Sequence, residues 1–144
     1  MEVIQWLKNY RDQEAALQWS GSFADYLQKV IENPKLAMHA HARIYEMIRK
    51  AGIIEEENHK KYLFFAKELF GMEKTLERLV EEYFHTAAKR LDVRKRILLL
   101  RGPVSGGKST IVTMLKKGLE EFTRTEEGAV YAIDGCPMHE EPLH

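Results

Sequence analysis

The 144-residue sequence predicts an α/β fold: a helical N-terminal segment leading into the start of a parallel sheet. Three observations carry that expectation. Apolar residues recur at three- and four-residue spacing through the first two thirds of the chain. The pattern then changes at residues 97–100 (Ile, Leu, Leu, Leu), an unbroken apolar run bounded by charge, as in a strand buried on both faces. A glycine-rich loop follows at once and an amphipathic stretch follows the loop, which makes a strand-loop-helix unit.

In chain order, the clearest helix begins at Ser22, whose hydroxyl can cap it while Asp25 reaches back in a variant of the capping box. Phe23, Tyr26, Leu27, Val30 and Ile31 recur at helical spacing. Asn33-Pro34 stops this helix. Pro34 suits a first helical turn and is expected to start another, with Leu36, Ala40, Ile44, Met47 and Ile48 on one face and Gly52 as C-terminal cap. The polar run at residues 55–61 reads as a loop, followed by a short apolar segment at 62–70 and then Gly71. A long amphipathic helix comes next, its face formed by Leu76, Leu79, Val80, Tyr83, Phe84 and Ala87. It ends in a basic cluster of Lys89, Arg90, Arg94, Lys95 and Arg96, the first two of which suit a helix C-terminus. Beyond the loop, Ile111, Met114, Leu115, Leu119 and Phe122 mark a further helix, and residues 129–133 read as a second strand after a polar turn ending at Gly128. The expected division is a helical segment at 1–70 and the sheet-forming part at 71–144.

Between the apolar run and its helix stand Gly102, Pro103, Val104, Ser105, Gly106, Gly107, Lys108, Ser109 and Thr110, the pattern of a P-loop. Glycines at 102, 106 and 107 permit tight turns, so backbone amides of residues 104–110 can point inward at phosphate oxygens. The positive end of the following helix adds to that field. Lys108 is expected to reach the terminal phosphates of ATP as a mobile point charge, and the Ser109 hydroxyl to ligate magnesium. The alternative is a glycine-rich turn with an exposed lysine. Chance would produce the glycines, lysine and hydroxyl at this spacing in roughly one chain in two hundred of this length.

The composition narrows the remaining classes. Lysine plus arginine equals aspartate plus glutamate at 22 each, which leaves no global field to gather nucleic acid or anionic lipid. No stretch is long and apolar enough for a membrane span, and the single cysteine, Cys136, cannot form an internal disulfide. A reducing cytoplasm is the expected setting. Asp134 closes the second apolar run and could assist magnesium, or could simply open an Asp-Gly turn. Cys136 and His139 have the spacing of half a zinc site without a second half. His39 and His41, two apart on a helix, do not face each other and suit solvent or packing.

Residues 22–27 (SFADYL), 80–85 (VEEYFH), 95–100 (KRILLL), the loop GPVSGGKS and residues 131–139 (YAIDGCPMH) resemble the bacterial PrkA family of serine protein kinases over essentially the whole chain. The resemblance implies the start of an AAA-type P-loop domain whose sheet is incomplete within these residues. It also implies a longer parent whose C-terminal region, the seat of kinase activity, meets the protein substrate. Leu69, Phe70 and Gly71, followed by Met72, then stand where AAA proteins place the adenine-contacting linker; otherwise Leu69 and Phe70 are core residues and Gly71 a helix cap. AAA proteins usually reserve the acidic strand end for the next strand, which lowers Asp134 as a magnesium ligand.

The leading functional expectation is the ATP-binding N-terminal part of a PrkA-type serine protein kinase with an AAA ATPase domain. An AAA remodelling ATPase associated with a protease-like domain shares every residue found here. A third reading makes the leading helices an interaction module with nucleotide as a structural ligand. The glycine loop, strand lysine, His-Arg-Asp and Asp-Phe-Gly segments of the common eukaryotic protein kinases do not occur. No arginine follows Arg124 to serve as a finger, so the stretch by itself is expected to be inactive, and unpaired sheet edges favour its self-association into a homo-oligomer.

Overall fold

The computed structural model describes residues 2–89, 97–103 and 106–143. They form two compact units, one drawn from residues up to Ala37 together with those from Glu121 onward, the other from Met38–Glu120. The chain is mixed α/β, with helices and one two-stranded sheet.

In the first unit, helix α1 spans Glu2–Leu17, helix α2 spans Phe23–Glu32, and a single 3-10 turn follows at Pro34–Ala37. The expected capping box is present: the Ser22 amide donates to Asp25 Oδ2 at 2.9 Å and the Asp25 amide donates to Ser22 Oγ at 3.3 Å. The Ser22 hydroxyl, donating to Asp25 Oδ2 at 2.6 Å, and after it the Ser22 amide hold the Asp25 carboxyl below its ordinary pKa. Tyr26 is the buried anchor of α2, packing edge-on against Tyr131 at 5.7 Å and donating its hydroxyl to Glu141. Phe23, Leu27 and Ile31 of the same expected face stay exposed. Past Phe122 the chain turns so tightly that a Cβ on Gly128 would lie 2.1 Å from the Phe122 carbonyl oxygen.

In the second unit, helix α3 spans Ala40–Lys50 and strands β1 (Ile53–Glu56) and β2 (His59–Tyr62) form an antiparallel hairpin. Helix α4 (Glu73–Arg78) runs on through a π-helical stretch at Leu79–His85 into α5 (Thr86–Ala88), and α6 occupies Lys108–Thr123. The core of this unit gathers Met47, Ile48, Tyr62, Phe65, Leu69, Leu76, Leu79, Val80, Phe84 and Ile111.

Three expectations need correction. The helix expected from Pro34 is broken in two at Met38 and His39, where the extended His39 backbone precedes α3 and the buried Arg43 donates from Nε to the Met38 carbonyl at 3.0 Å. The loop expected at 55–61 is the hairpin. Its polarity conceals opposed pairs, Glu55 facing Lys60 and Glu56 facing His59, which stabilise a two-residue turn at Glu57 and Asn58. The two runs expected as buried parallel strands, residues 97–100 and 129–133, pair with no strand among the described residues; Ile97 and Leu99 are 88% and 75% exposed. A strand exists only through its neighbours, and hydrophobicity without a partner leaves such runs as extended chain. Of the basic cluster, Arg90, Arg94, Lys95 and Arg96 lie outside the described residues.

The hairpin is fastened to the π-helical stretch through Glu81. Its Oε1 accepts from the Tyr62 hydroxyl at 2.6 Å and from Lys60 Nζ at 2.9 Å, and His85 Nδ1 lies 3.3 Å from Oε2. Burial acts to raise the Glu81 pKa, but the bonds from Tyr62 and Lys60 outweigh it and hold the carboxyl below its ordinary value. Burial and the same carboxylate push the Tyr62 hydroxyl well above its usual range. A carboxyl more acidic folded than unfolded stabilises the fold above its unfolded pKa, about 4.3, and that contribution is lost as pH falls through the folded value. Glu81→Gln is therefore expected to flatten the acid limb of a plot of urea midpoint against pH, relative to the unsubstituted chain; identical acid limbs would show that the carboxylate contributes nothing.

Candidate functional site

The glycine-rich loop and the segment before α4 line one open cleft of about 1100 Å³, bounded by Glu68, Leu69, Phe70, Met72, Gly102, Gly106, Gly107, Lys108, Ser109 and Thr110. Val104 and Ser105 of the expected loop lie outside the described residues. Pro103 turns the chain, with the Gly106 amide donating to its carbonyl at 3.2 Å. The Gly107 carbonyl then accepts the Ile111 amide at 2.9 Å, which starts α6. A helix start leaves the amides of its first residues without intrahelical partners, so residues 108–110 present donors at the mouth of the cleft.

Gly107 is where the two halves of the cleft meet. Its φ is +77°, a conformation that favours glycine, and a Cβ there would lie 3.2 Å from both Leu69 Cδ2 and Met72 Sδ. Gly106 is nearly as confined, with the Pro103 carbonyl oxygen 3.0 Å from its would-be Cβ. Lys108 Nζ donates to the carbonyl of Gly102 at 2.7 Å and to that of Pro103, so the ammonium folds back across its own loop. A Cβ on Gly102 would make only ordinary contact with that side chain, 3.7 Å from Nζ. The Ser109 side chain is exposed at the first turn of α6 and Thr110 is half-buried.

Leu69 is buried beneath the cleft, whereas Phe70 is 78% exposed at its edge. Gly71 has φ +71° with open space beside it, and its amide donates to Glu73 Oε1 at 3.2 Å. It enters α4 instead of capping a preceding helix. Glu68 and Met72 also line the cleft; Met72 closes the segment expected to flank the base, whereas sequence reasoning missed Glu68, which has no periodic or motif signal.

The weaker candidates fall elsewhere. Asp134 is exposed in a turn closed by the Cys136 amide on the Ile133 carbonyl at 3.2 Å, with Gly135 at φ +71° supplying the Asp-Gly geometry. Among the described residues no three histidine, cysteine, aspartate or glutamate side chains converge on a common metal position. His41 packs against Tyr83, its Nε2 3.2 Å from the phenol oxygen, while His39 precedes α3. Among the described residues no helix is long and apolar enough to cross a membrane.

Comparison with known proteins adds the family context. The profile described as "PrkA AAA domain" matches residues 21–144. Over all 144 residues the chain is 65% identical to a Bacillus subtilis (strain 168) protein named "ATP-dependent protease PrkA", of which it spans 23% of the length. It is 53% identical over 97 residues, 67% of this chain and all of the other, to the Geobacillus stearothermophilus "Uncharacterized protein in gldA 5'region". Over 50 residues, 35% of this chain and 8% of the other, it is 46% identical to the Escherichia coli (strain K12) "Serine/threonine kinase YeaG". No solved structure matches the chain.

The confinement at Gly107 yields a direct test. Gly107→Ala places a methyl group against the Leu69 and Met72 side chains, which must give by a few tenths of an ångström, on a backbone that L residues rarely adopt, so the loop conformation is strained. Calorimetric titration with inorganic triphosphate should then show at least about tenfold weaker binding, the equivalent of about 1.4 kcal/mol. Unaltered affinity would mean that ligand does not use this loop.

Proposed function

The chain belongs to the PrkA AAA-domain family, and from that premise we propose that it is the ATP-binding part of a longer PrkA-type serine protein kinase. The observation that carries the reading is the contact of Gly107 with Leu69 and Met72, which joins a phosphate-binding loop to an apolar wall in one cleft. Triphosphate would lie on the amides at the start of α6, with Lys108 leaving the loop carbonyls to meet it, and the base would lie toward Leu69, Phe70 and Gly71. Gly102, Pro103, Val104, Ser105, Gly106, Gly107, Lys108, Ser109 and Thr110 form the phosphate side in this reading.

The donors suit a magnesium nucleotide. The exposed Ser109 hydroxyl stands beside Lys108 at a cradle that side chains on Gly106 or Gly107 would fill, and Ser109 would hold the ion. The bound ion supplies neutralisation of phosphate charge; Lys108 and the helix amides bind and orient the same oxygens. Residues 1–70 are then the helical lead and 71–144 the first part of the P-loop domain. Protein substrate, homo-oligomeric assembly and a cytoplasmic setting belong to the same proposal for the longer protein. The group that orients an attacking hydroxyl or water is assigned to regions beyond these residues.

A second reading, an AAA remodelling ATPase associated with a protease-like domain, is favoured by the name of the Bacillus subtilis relative. The cleft serves both, because binding phosphate precedes either use. Radiolabelled ATP with the longer protein separates them: transfer of label to protein serine supports the kinase, and ATP-dependent proteolysis without labelling supports the alternative.

Lys108→Ala is expected to weaken ATP binding by one to two orders of magnitude, about 1.5–3 kcal/mol for a charged hydrogen bond. Unchanged affinity in calorimetry of the folded variant would end the phosphate-site reading. Phe70→Ala should weaken ATP more than inorganic triphosphate, because it alters only the wall. It is a cleaner probe than any change at Gly71, whose positive φ strains every substitution. Equal losses for the two ligands would remove Phe70 from the base site.

A further inference from the structure

We infer that Glu81 is a positioning residue for the nucleotide base, acting without touching the ligand by clamping Tyr62 and Lys60 of β2 and so setting where the segment that ends in Leu69, Phe70 and Met72 meets Gly107. The inference rests on the reading of the cleft as an ATP site.

The link is a chain of short contacts within one compact unit. Glu81 Oε1 accepts from the Tyr62 hydroxyl at 2.6 Å and from Lys60 Nζ at 2.9 Å, and four residues earlier Glu77 Oε1 accepts the Lys60 backbone amide at 3.2 Å. The end of β2 is thus tied by both its backbone and its side chains to successive turns of one continuous helix. From Tyr62 the chain winds through consecutive turns, the Phe65 amide donating to the Tyr62 carbonyl at 3.1 Å and the Leu69 amide to the Phe65 carbonyl at 3.0 Å. Phe65 is fully buried and Leu69 is 8% exposed, so the winding is seated in the core and cannot slide freely. Its far end is the Leu69 Cδ2 that would lie 3.2 Å from a side chain on Gly107.

Three features make Glu81 the place where this position is set. Both strong donors on its Oε1 come from the hairpin, while Oε2 faces His85 of its own helix, so one carboxylate joins the two elements. The carboxylate lies in a π-helical stretch, where the wider turn changes which carbonyls are bonded, and the Thr86 hydroxyl donates to the Glu81 carbonyl at 3.1 Å. The clamp is also partly buried, with Tyr62 only 3% exposed, so losing the carboxylate strands a phenol that water does not readily reach. On this inference a shift at Tyr62 would pass along the winding to Leu69, whereas the Lys108 ammonium is bonded to the carbonyls of Gly102 and Pro103 and has no bond to the hairpin.

The test compares Glu81→Gln and Tyr62→Phe in the full 144-residue chain, with ATP and inorganic triphosphate as the two ligands in calorimetry. Each variant should weaken ATP about three- to tenfold and leave triphosphate within about twofold, and the double variant should lose no more than Glu81→Gln alone. Tyr62→Phe keeps the buried ring, so it carries the test if Glu81→Gln folds poorly. Equal weakening of both ligands, additive losses, or no loss of ATP affinity would overturn the positioning role. If the unsubstituted chain binds neither ligand, the nucleotide reading fails and this inference falls with it; binding by that chain without the ATP-specific loss refutes only the clamp.

Discussion

The cleft depends on a missing side chain. At Gly107 the backbone takes a conformation that L residues avoid, and the space a Cβ would need is already filled by Leu69 and Met72. Both constraints point to glycine for independent reasons, one intrinsic to the backbone and one imposed by packing. Because the same atom position satisfies them together, the loop and the segment before α4 cannot be described as separate sites. An apolar surface close to a row of helix-start amides is a combination suited to a ligand with an aromatic base at one end and anionic charge at the other.

Electrostatics at this cleft are local. The chain carries equal numbers of acidic and basic residues, so attraction for a polyphosphate has to come from oriented amides and one lysine, not from a long-range field. Lys108 is hydrogen-bonded to the loop carbonyls of Gly102 and Pro103. A phosphate oxygen in place of either would be a charged acceptor, and charged acceptors make the stronger bonds.

The legible parts of the sequence were those where nearby residues carry their own physical constraint. Ser22 and Asp25 satisfy each other's backbone within one turn, and the capping box formed as read. The apolar face from Leu76 to Ala87 packs as a helix because helical periodicity needs only one partner surface, although the π-helical turn within it left no local trace. The hairpin was hidden for the opposite reason. Glu55, Glu56, His59, Lys60 and Lys61 look like a solvated loop until cross-strand pairing sets acids against bases. Residues 97–100 and 129–133 had the composition of strands, but pairing is a property of two segments, and composition describes only one.

By itself, then, the sequence determined the identity and order of the loop residues, the glycines that let it turn, the position of Lys108 and Ser109 at a helix start, and the helix that Ser22 and Asp25 cap, since each rests on contacts between neighbours in the chain. Only the tertiary structure decided that Glu68 lines the same cleft, that Glu81 joins β2 to the helix nineteen to twenty-one residues beyond it, and that Leu69 and Met72 approach Gly107. The physical reason is that these contacts join residues far apart along the chain. Their free energy arises only when the hydrophobic core has brought the segments to within ångströms, and no local spacing encodes that distance.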